Sequence, residues 1–351
     1  MYGLGAAIRL GEALALEPVM LFTEQIGERL QRHTVLPMIL LWICFIASGS
    51  VHAASIEIVL SSDSDEYHQV ASRIHEALRD SRHHAESVAT RLAQSLDADS
   101  NNAVLKDSRL VVAVGVRALK KILDGPMEFP VYAVLVPYAS YSKLLDGIEA
   151  KGRASIKQNV SALYLDQPLH RQLALANALG DRFRVVGILL AETSDFDVAS
   201  LVAEAKQLGM ALRDIRVASS REIVPALKRT KRKIDILLTM FDPSFIDTQT
   251  IKQILYFSYH RRLPVLGYSH AMVKAGALAA IFSTPKQIGQ HAAEEIIDAL
   301  DSDPVRLSPP GFPKYYQAIC NAAVADYFNL HVDCSLASLS HPGPQPASGG
   351  Q

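Results

Sequence analysis

The chain has 351 residues, enough to bury two cores, and 49% of them are hydrophobic, as in globular α/β proteins. Lysine and arginine total 35 against 36 aspartates and glutamates, a net charge of -1 that gives no electrostatic case for a nucleic-acid partner. Near the start, Leu36 to Ala47 forms an apolar run preceded by Arg29, Arg32 and His33 and followed by Ser48-Gly49-Ser50 and Val51-His52-Ala53. The run is shorter than the ~20 residues that span a bilayer, and small residues follow it where a signal peptidase reads. Residues 1–53 therefore read as a long leader with a signal peptide cleaved after Ala53, which predicts a periplasmic location; an uncleaved anchor is the alternative. A start at Met20 would give a more ordinary leader. Bulky Ile43 before Cys44 argues against a lipoprotein. Without the leader only Cys320 and Cys334 remain, either paired or as a buried residue and a free tail thiol.

Ile56 to Leu60 alternates as a strand, and Tyr67 to Leu78 has helical spacing through Val70, Ile74, Ala77 and Leu78. Ser61 and Ser62 lie at the strand's carboxyl end, where they either meet a ligand or cap the helix. His68, His75, His83 and His84 lack a metal-ligand pattern, so no metal is predicted. Leu110 to Val114 is a continuous apolar run typical of a parallel strand covered on both faces, ended by Gly115, with Val116 opening a helix. A lone glycine is no nucleotide fingerprint, and no cofactor is implied. Val131 to Val136 is the next strand, ended by Pro137-Tyr138; Tyr138 and Tyr141 offer stacking surface or packing.

Leu163 to Leu165 is extended, Pro168 introduces a helix through Leu179, and Val185 to Leu190 is another buried strand. Thr193 and Ser194 follow it and either bind a ligand or cap a helix over 197–210. Leu212 to Ala218 is a strand, and a helix starts at Ser220; the basic cluster from Lys228 to Lys233 suits a helix C-terminus. Ile234 to Met240 is a strand ending at Phe241-Asp242-Pro243-Ser244, with a helix over Ile246 to Tyr259. Pro264 to Leu266 and Ala277 to Phe282 are short strands around a helix capped by Ser269. Pro285 suits the first turn of a long helix from Lys286 to Leu300. Tyr315 to Phe328 contains a last helix, and Ser335 to Gln351, rich in Ser, Pro and Gly, is predicted to be disordered.

Pro264-Val265-Leu266-Gly267-Tyr268, Val273-Lys274-Ala275-Gly276-Ala277-Leu278-Ala279 and Gly289-Gln290-His291-Ala292-Ala293 resemble the late part of ABC transporter substrate-binding proteins related to tryptophan and tyrosine binders. Asn159-Val160-Ser161-Ala162 resembles that family's N-V-T-G. Gly115-Val116-Arg117-Ala118 departs from its G-T-x-A, and Val136-Pro137 stands where relatives usually show Asp-Pro. The resemblance implies a type I periplasmic binding protein fold: two doubly wound α/β lobes with parallel sheets, joined by a multi-crossover hinge. Lobe 1 is expected at 54–160 and 281–304, lobe 2 at 161–280 and 305–334, with crossovers near Ser161, Ala280 and Val305. It also implies a small polar solute such as an amino acid, an ABC permease as partner, and no covalent chemistry.

In open α/β sheets the crevice lies beyond the strands' carboxyl ends. This places Ser61, Ser62, Gly115, Val116 and Tyr138 on one side of a cleft and Thr193, Asp242 and Tyr268 on the other. Backbone donors at Gly115-Val116 are expected to take a carboxylate, Asp242 an ammonium, and a tyrosine the apolar part. Helix capping is the competing role for Asp242. Two other classes stay open. Gly267-Tyr268-Ser269-His270-Ala271, with Asp326 and His331 downstream, mimics a hydrolase nucleophile elbow. A ligand-sensing lobe working with a membrane receptor is the other.

Overall fold

The computed structural model describes residues 55–96, 105–194, 198–230, 233–242, 245–330 and 339–341. The chain divides into units 1–52 and 53–351; the first unit, and with it the expected leader through the cleavage site after Ala53, lies outside the described residues, which begin at Ser55. So does most of the expected disordered tail.

Two sheets organise the second unit. In chain order the first lobe holds β1 (Ser55–Leu60), α1 (Asp65–Arg79), β2 (Ser87–Leu92), β3 (Ser108–Val114), α2 (Val116–Asp124), β4 (Val131–Val136), α3 (Tyr138–Ala150) and β5 (Val160–Tyr164). Among the described residues its sheet runs β2-β1-β3-β4-β5, all parallel. Sequence order reverses between β1 and β3, which makes that gap the switch point of a doubly wound sheet. Alternate side chains of β3 and β4 enter two cores. Val111, Ala113, Val131 and Ala133 join one cluster with α2, while Val112, Val114, Tyr132 and Val134 join another with α1.

The second lobe holds α4 (Leu169–Ala178), β6 (Val185–Ala191), α5 (Val198–Gln207), β7 (Ala211–Val217), α6 (Ile223–Thr230), β8 (Ile236–Thr239), α7 (Thr248–Arg261), β9 (Val265–Gly267), α8 (His270–Lys274) and β10 (Ala279–Phe282). Then come α9 (Pro285–Leu300), β11 (Gln317–Cys320) and α10 (Ala322–Tyr327). The sheet order β11-β10-β9-β8-β6-β7 repeats the first lobe's winding and adds β11 antiparallel to β10. Here the switch point falls between β6 and β8.

Helix α9 returns to the first lobe. Thr284 and Gln287 close a capping box at its start, behind Pro285, and Ile288, Ala292 and Ile296 pack into the α1 core. Gly289 lets the two helices meet: a Cβ there would lie 3.1 Å from the Val70 backbone and 2.9 Å from Arg73 Cβ. That contact explains the glycine of the Gly289-Gln290-His291-Ala292-Ala293 motif.

The crossovers fall later than the sequence predicts. Val160–Tyr164 pairs with β4, so the first crossover follows Tyr164 rather than lying near Ser161. Ala279–Phe282 pairs with β9, which moves the second past Phe282 rather than near Ala280. Val305 and Leu307 pack in the first lobe, and Gly311 exchanges backbone hydrogen bonds with Ala162 and Tyr164 (2.8 and 2.9 Å), so the third follows Gly311 rather than Val305. Strand pairing sets each boundary, and pairing partners are distant in sequence.

One polar network ties the three crossovers together. Gln167 Nε2 donates to Ser283 Oγ at 2.8 Å, and Ser283 Oγ donates to the Tyr315 carbonyl at 2.6 Å. Arg171 donates to Gln167 Oε1 (2.8 Å) and the Pro313 carbonyl (2.6 Å), its guanidinium 3.9 Å above the Tyr316 ring. Cys320 is disulfide-bonded, and its partner lies outside the described residues.

Candidate functional site

The carboxyl ends of both sheets border a cleft with three adjoining cavities, and Phe241, just beyond β8, lines all three. The largest, of 410 Å³, is walled chiefly by the first lobe, including Ser61, Ser62, Tyr67, Val116 and Arg117. A second, of 190 Å³, is walled by Leu165, Met240, Phe241, Tyr268 and Phe282, with Gln167, Gln172, Ser269 and Ser283 among its polar groups. Between them lies a narrow pocket where Tyr138, Ala139 and Asp166 face Ser194, Phe241 and Asp242.

The β1 and β3 turns are tightly coupled. Ser61 Oγ is buried and accepts the Ala118 N–H at 2.9 Å, so it braces the start of α2 across the switch point. Gly115 has φ +90°, and a Cβ there would lie 2.5 Å from Ser61 Oγ and 2.9 Å from Tyr67 Cε1. Its N–H donates to the Val134 carbonyl at 2.8 Å, which corrects its expected role as a carboxylate donor. Val116 and Arg117 line the cavity at the helix start instead. Arg117 brings a cation to the turn where the resembled family has G-T-x-A. Nearby, Leu135 adopts φ 57° at a register shift between β4 and β5, a backbone conformation uncommon for leucine, and lines the same cavity.

Tyr138 lies in the narrow pocket with its ring edge-on to Tyr164, 5.3 Å between centroids. Tyr141 is packing: it is buried, and its hydroxyl donates to the Val160 carbonyl at 3.1 Å. Asp242 lines the narrow pocket, and its carbonyl accepts the Ile246 N–H at 2.8 Å. The side chain that caps α7 is Asp247, which accepts the Thr250 N–H at 2.7 Å. Tyr268 walls the 190 Å³ cavity 5.4 Å from Phe241, and burial pushes its phenol up to about 12.

Thr193 lies apart from these cavities. It is exposed and lines none of the three, whereas Ser194 lines the narrow pocket. Arg216 donates to the carbonyls of Glu192 and Ser194 (3.3 and 3.0 Å), which sets the course of this turn. Ser269 Oγ accepts the Met272 N–H at 3.3 Å and caps α8; His331 of the hydrolase alternative lies outside the described residues.

Asp166 is the residue that sequence reasoning missed. It follows β5 in the first crossover, lines two of the cavities, and accepts the Tyr138 N–H at 2.5 Å. Burial, more than repulsion from Asp242, raises its carboxyl to about 6 despite that hydrogen bond. An acidic residue directly after a buried strand was the signal available for it.

The family described as ABC transporter substrate binding protein matches residues 68–337. Solved structures share the fold. The ABC domain from Streptococcus pneumoniae in complex with L-Trp is 17% identical, with TM-score 0.55, covering 82% of this chain and 99% of that one. A ligand-free, open substrate binding protein with adhesive properties from Clostridium difficile is 15% identical, with TM-score 0.59, covering 80% and 96%. A conserved domain protein from Vibrio cholerae is 15% identical, with TM-score 0.54, covering 83% and 99%. No curated protein matches the chain.

Proposed function

The chain belongs to the ABC transporter substrate binding protein family, and we propose that it is the extracytoplasmic, non-catalytic solute-capturing component of an ABC importer. Its solute is a small zwitterion of the amino-acid class, closed between two lobes and handed to a membrane permease. The observation that carries this reading is the narrow pocket, where Asp166 and Asp242 come from different elements of the cleft beside a cavity walled by Phe241, Tyr268 and Phe282. Two carboxylates suit an ammonium, and the aromatic walls suit an apolar side chain. The carboxylate goes to Val116 and Arg117, with Ser61 and Ser62 bordering the same cavity.

Contacts from both lobes favour the closed state, and that differential affinity drives closure about the hinge. The L-Trp complex of the Streptococcus pneumoniae relative supports an amino acid as the solute. Export rests on the Arg-flanked Leu36–Ala47 segment; among the described residues no helix is long and apolar enough to cross a membrane. Native mass spectrometry of envelope-derived protein tests capture and export together. A co-purifying amino acid and an amino terminus near Ala54 are expected. A chain with an intact leader held in the membrane overturns export, and failure to bind any amino acid in titration overturns the solute class.

A further inference from the structure

Helices of the second lobe run back against its parallel strands, so α6 and α7 both end at the sheet edge opposite the cleft. Lys228 and Arg229 close α6, Lys233 lies just ahead of β8, and Arg261 and Arg262 close α7. All five are exposed, and none forms an ion pair with a described residue. Asp235, next to Lys233 in this turn, is engaged: its carboxylate accepts the N–H groups of Arg184 and Val185 at 2.9 and 2.8 Å. Asp181 and Asp326 also border this edge and are matched in number by Arg182 and Arg184. A chain of net charge -1 thus concentrates positive charge at one end of one lobe. Two large aromatic side chains join it. Tyr256 is 70% exposed and Tyr259 53%, both in the later turns of α7. Tyr259 stacks on Tyr327 of α10 with 4.1 Å between centroids, and the Tyr327 hydroxyl donates to the Tyr259 carbonyl at 3.1 Å. The Arg262 guanidinium lies 5.5 Å from the Tyr327 ring, so rings and cations form one surface. Helix dipoles account for cations in a last turn, but not for Lys233 or for two exposed tyrosines.

We infer that this edge of the second lobe is a docking surface for a bilayer containing anionic phospholipid. The inference goes beyond solute capture and does not depend on the solute class. A negatively charged leaflet attracts Lys and Arg held near it, by roughly fivefold in affinity for each. Tyrosine supplies the other half, because its ring settles at headgroup level with the apolar body inward and the hydroxyl in water. A nucleic acid would answer the charges; the two exposed rings favour lipid. The cleft lies at the opposite edge of the same sheet, so a chain held this way keeps its solute site clear of the lipid.

The test is co-sedimentation of the purified chain with vesicles of phosphatidylcholine alone, and of phosphatidylcholine with an equal part of phosphatidylglycerol. The wild type is expected to bind the anionic vesicles at least tenfold more tightly, a preference that falls as salt is raised because exposed charges are screened. A triple variant, Lys228→Gln with Arg229→Gln and Arg261→Gln, is expected to lose at least tenfold of that affinity while circular dichroism shows it folded. It carries the same Leu36–Ala47 segment, so any lipid affinity of that segment cancels in the comparison. Lys233→Gln, a single change outside both helices, is expected to lose roughly fivefold and decides the point should the triple variant be unstable. Tyr256→Ser should weaken binding and leave its salt dependence as in the wild type. Equal binding to both vesicles, or a folded triple variant that keeps wild-type affinity, overturns the assignment. So does a Tyr256→Ser protein that binds as tightly as the wild type. Duplex DNA is the last arm: if it displaces the anionic vesicles and its own binding is lost in the triple variant, the surface belongs to nucleic acid and the inference falls.

Discussion

Asp166 accepts the backbone N–H of Tyr138 at 2.5 Å, which sets a carboxylate from the first crossover against the amino end of α3. The turn after β4 carries Val136-Pro137, and the end of the neighbouring strand brings Asp166 beside it. Burial holds this carboxyl at about 6, above its unfolded value of 3.8. The folded state therefore binds the proton more tightly, and stability falls as pH rises from about 4 through 6. Asp166→Asn is expected to be more stable than wild type at pH 7.5 by on the order of 2 kcal/mol, a difference that disappears near pH 4. Affinity should move the other way: an ammonium ligand binds the wild type more weakly below pH 6, and the variant loses that dependence. Urea unfolding and titration at both pH values check this. Identical pH profiles for the two proteins would sink it.

Asp242→Asn removes charge from the narrow pocket and leaves Asp247, the cap of α7, in place. Affinity for the co-purifying solute is expected to fall by roughly 1.5–3 kcal/mol, the scale of a charged hydrogen bond. Unchanged affinity would take Asp242 out of the site.

Gly115 and Ser61 make a second, purely steric case. A Cβ at Gly115 meets Ser61 Oγ at 2.5 Å on a backbone at φ +90°. Gly115→Ala is expected to cost about 1–3 kcal/mol, part from the clash and part from the conformation. Adding Ser61→Ala should recover the part of the clash made by Oγ, but not the contacts with Tyr67 Cε1 and Ser61 Cβ or the conformational part, so thermal unfolding of the double variant would show less than the sum of the two losses. Strict additivity would contradict the contact.

Much of the architecture was legible because it is local. Continuous apolar runs such as Val131–Val136 are fully buried strands, and Pro285 opens α9 as its helix-start chemistry dictates. What escaped is held by distant partners. β2 reads SVATRL, with no core-strand pattern; it is placed by pairing with β1 and by Arg91, which forms two 2.8 Å hydrogen bonds to the Glu57 carboxylate. β11 has four residues and exists through its antiparallel pairing with β10. The site followed the same division. Strand ends marked Ser61, Tyr138, Asp242 and Tyr268 as cleft residues. The engagement of the Gly115 N–H, the exposure of Thr193 and the position of Asp166 depend on how turns meet across the sheet.

The hinge gives the last prediction. Gln167, Ser283 and Tyr315 each belong to a different crossover, and Ser283 Oγ joins the other two at 2.8 and 2.6 Å. Gln167 and Ser283 are 116 residues apart in sequence and both buried. Ser283→Ala leaves the Tyr315 carbonyl and the Gln167 amide without their partner, at a cost of about 1–3 kcal/mol. Once Ser283 is gone, Gln167→Ala should cost less than it does alone, because part of its contact has already been lost. A double-mutant cycle by urea unfolding is expected to give a coupling of at least about 0.5 kcal/mol, the lower end for residues in one hydrogen-bond network. The same two substitutions should change the scattering profile of the ligand-free protein, since a hinge held by fewer bonds samples more interlobe angles. Additive stabilities with an unchanged profile would mean that the crossovers act independently.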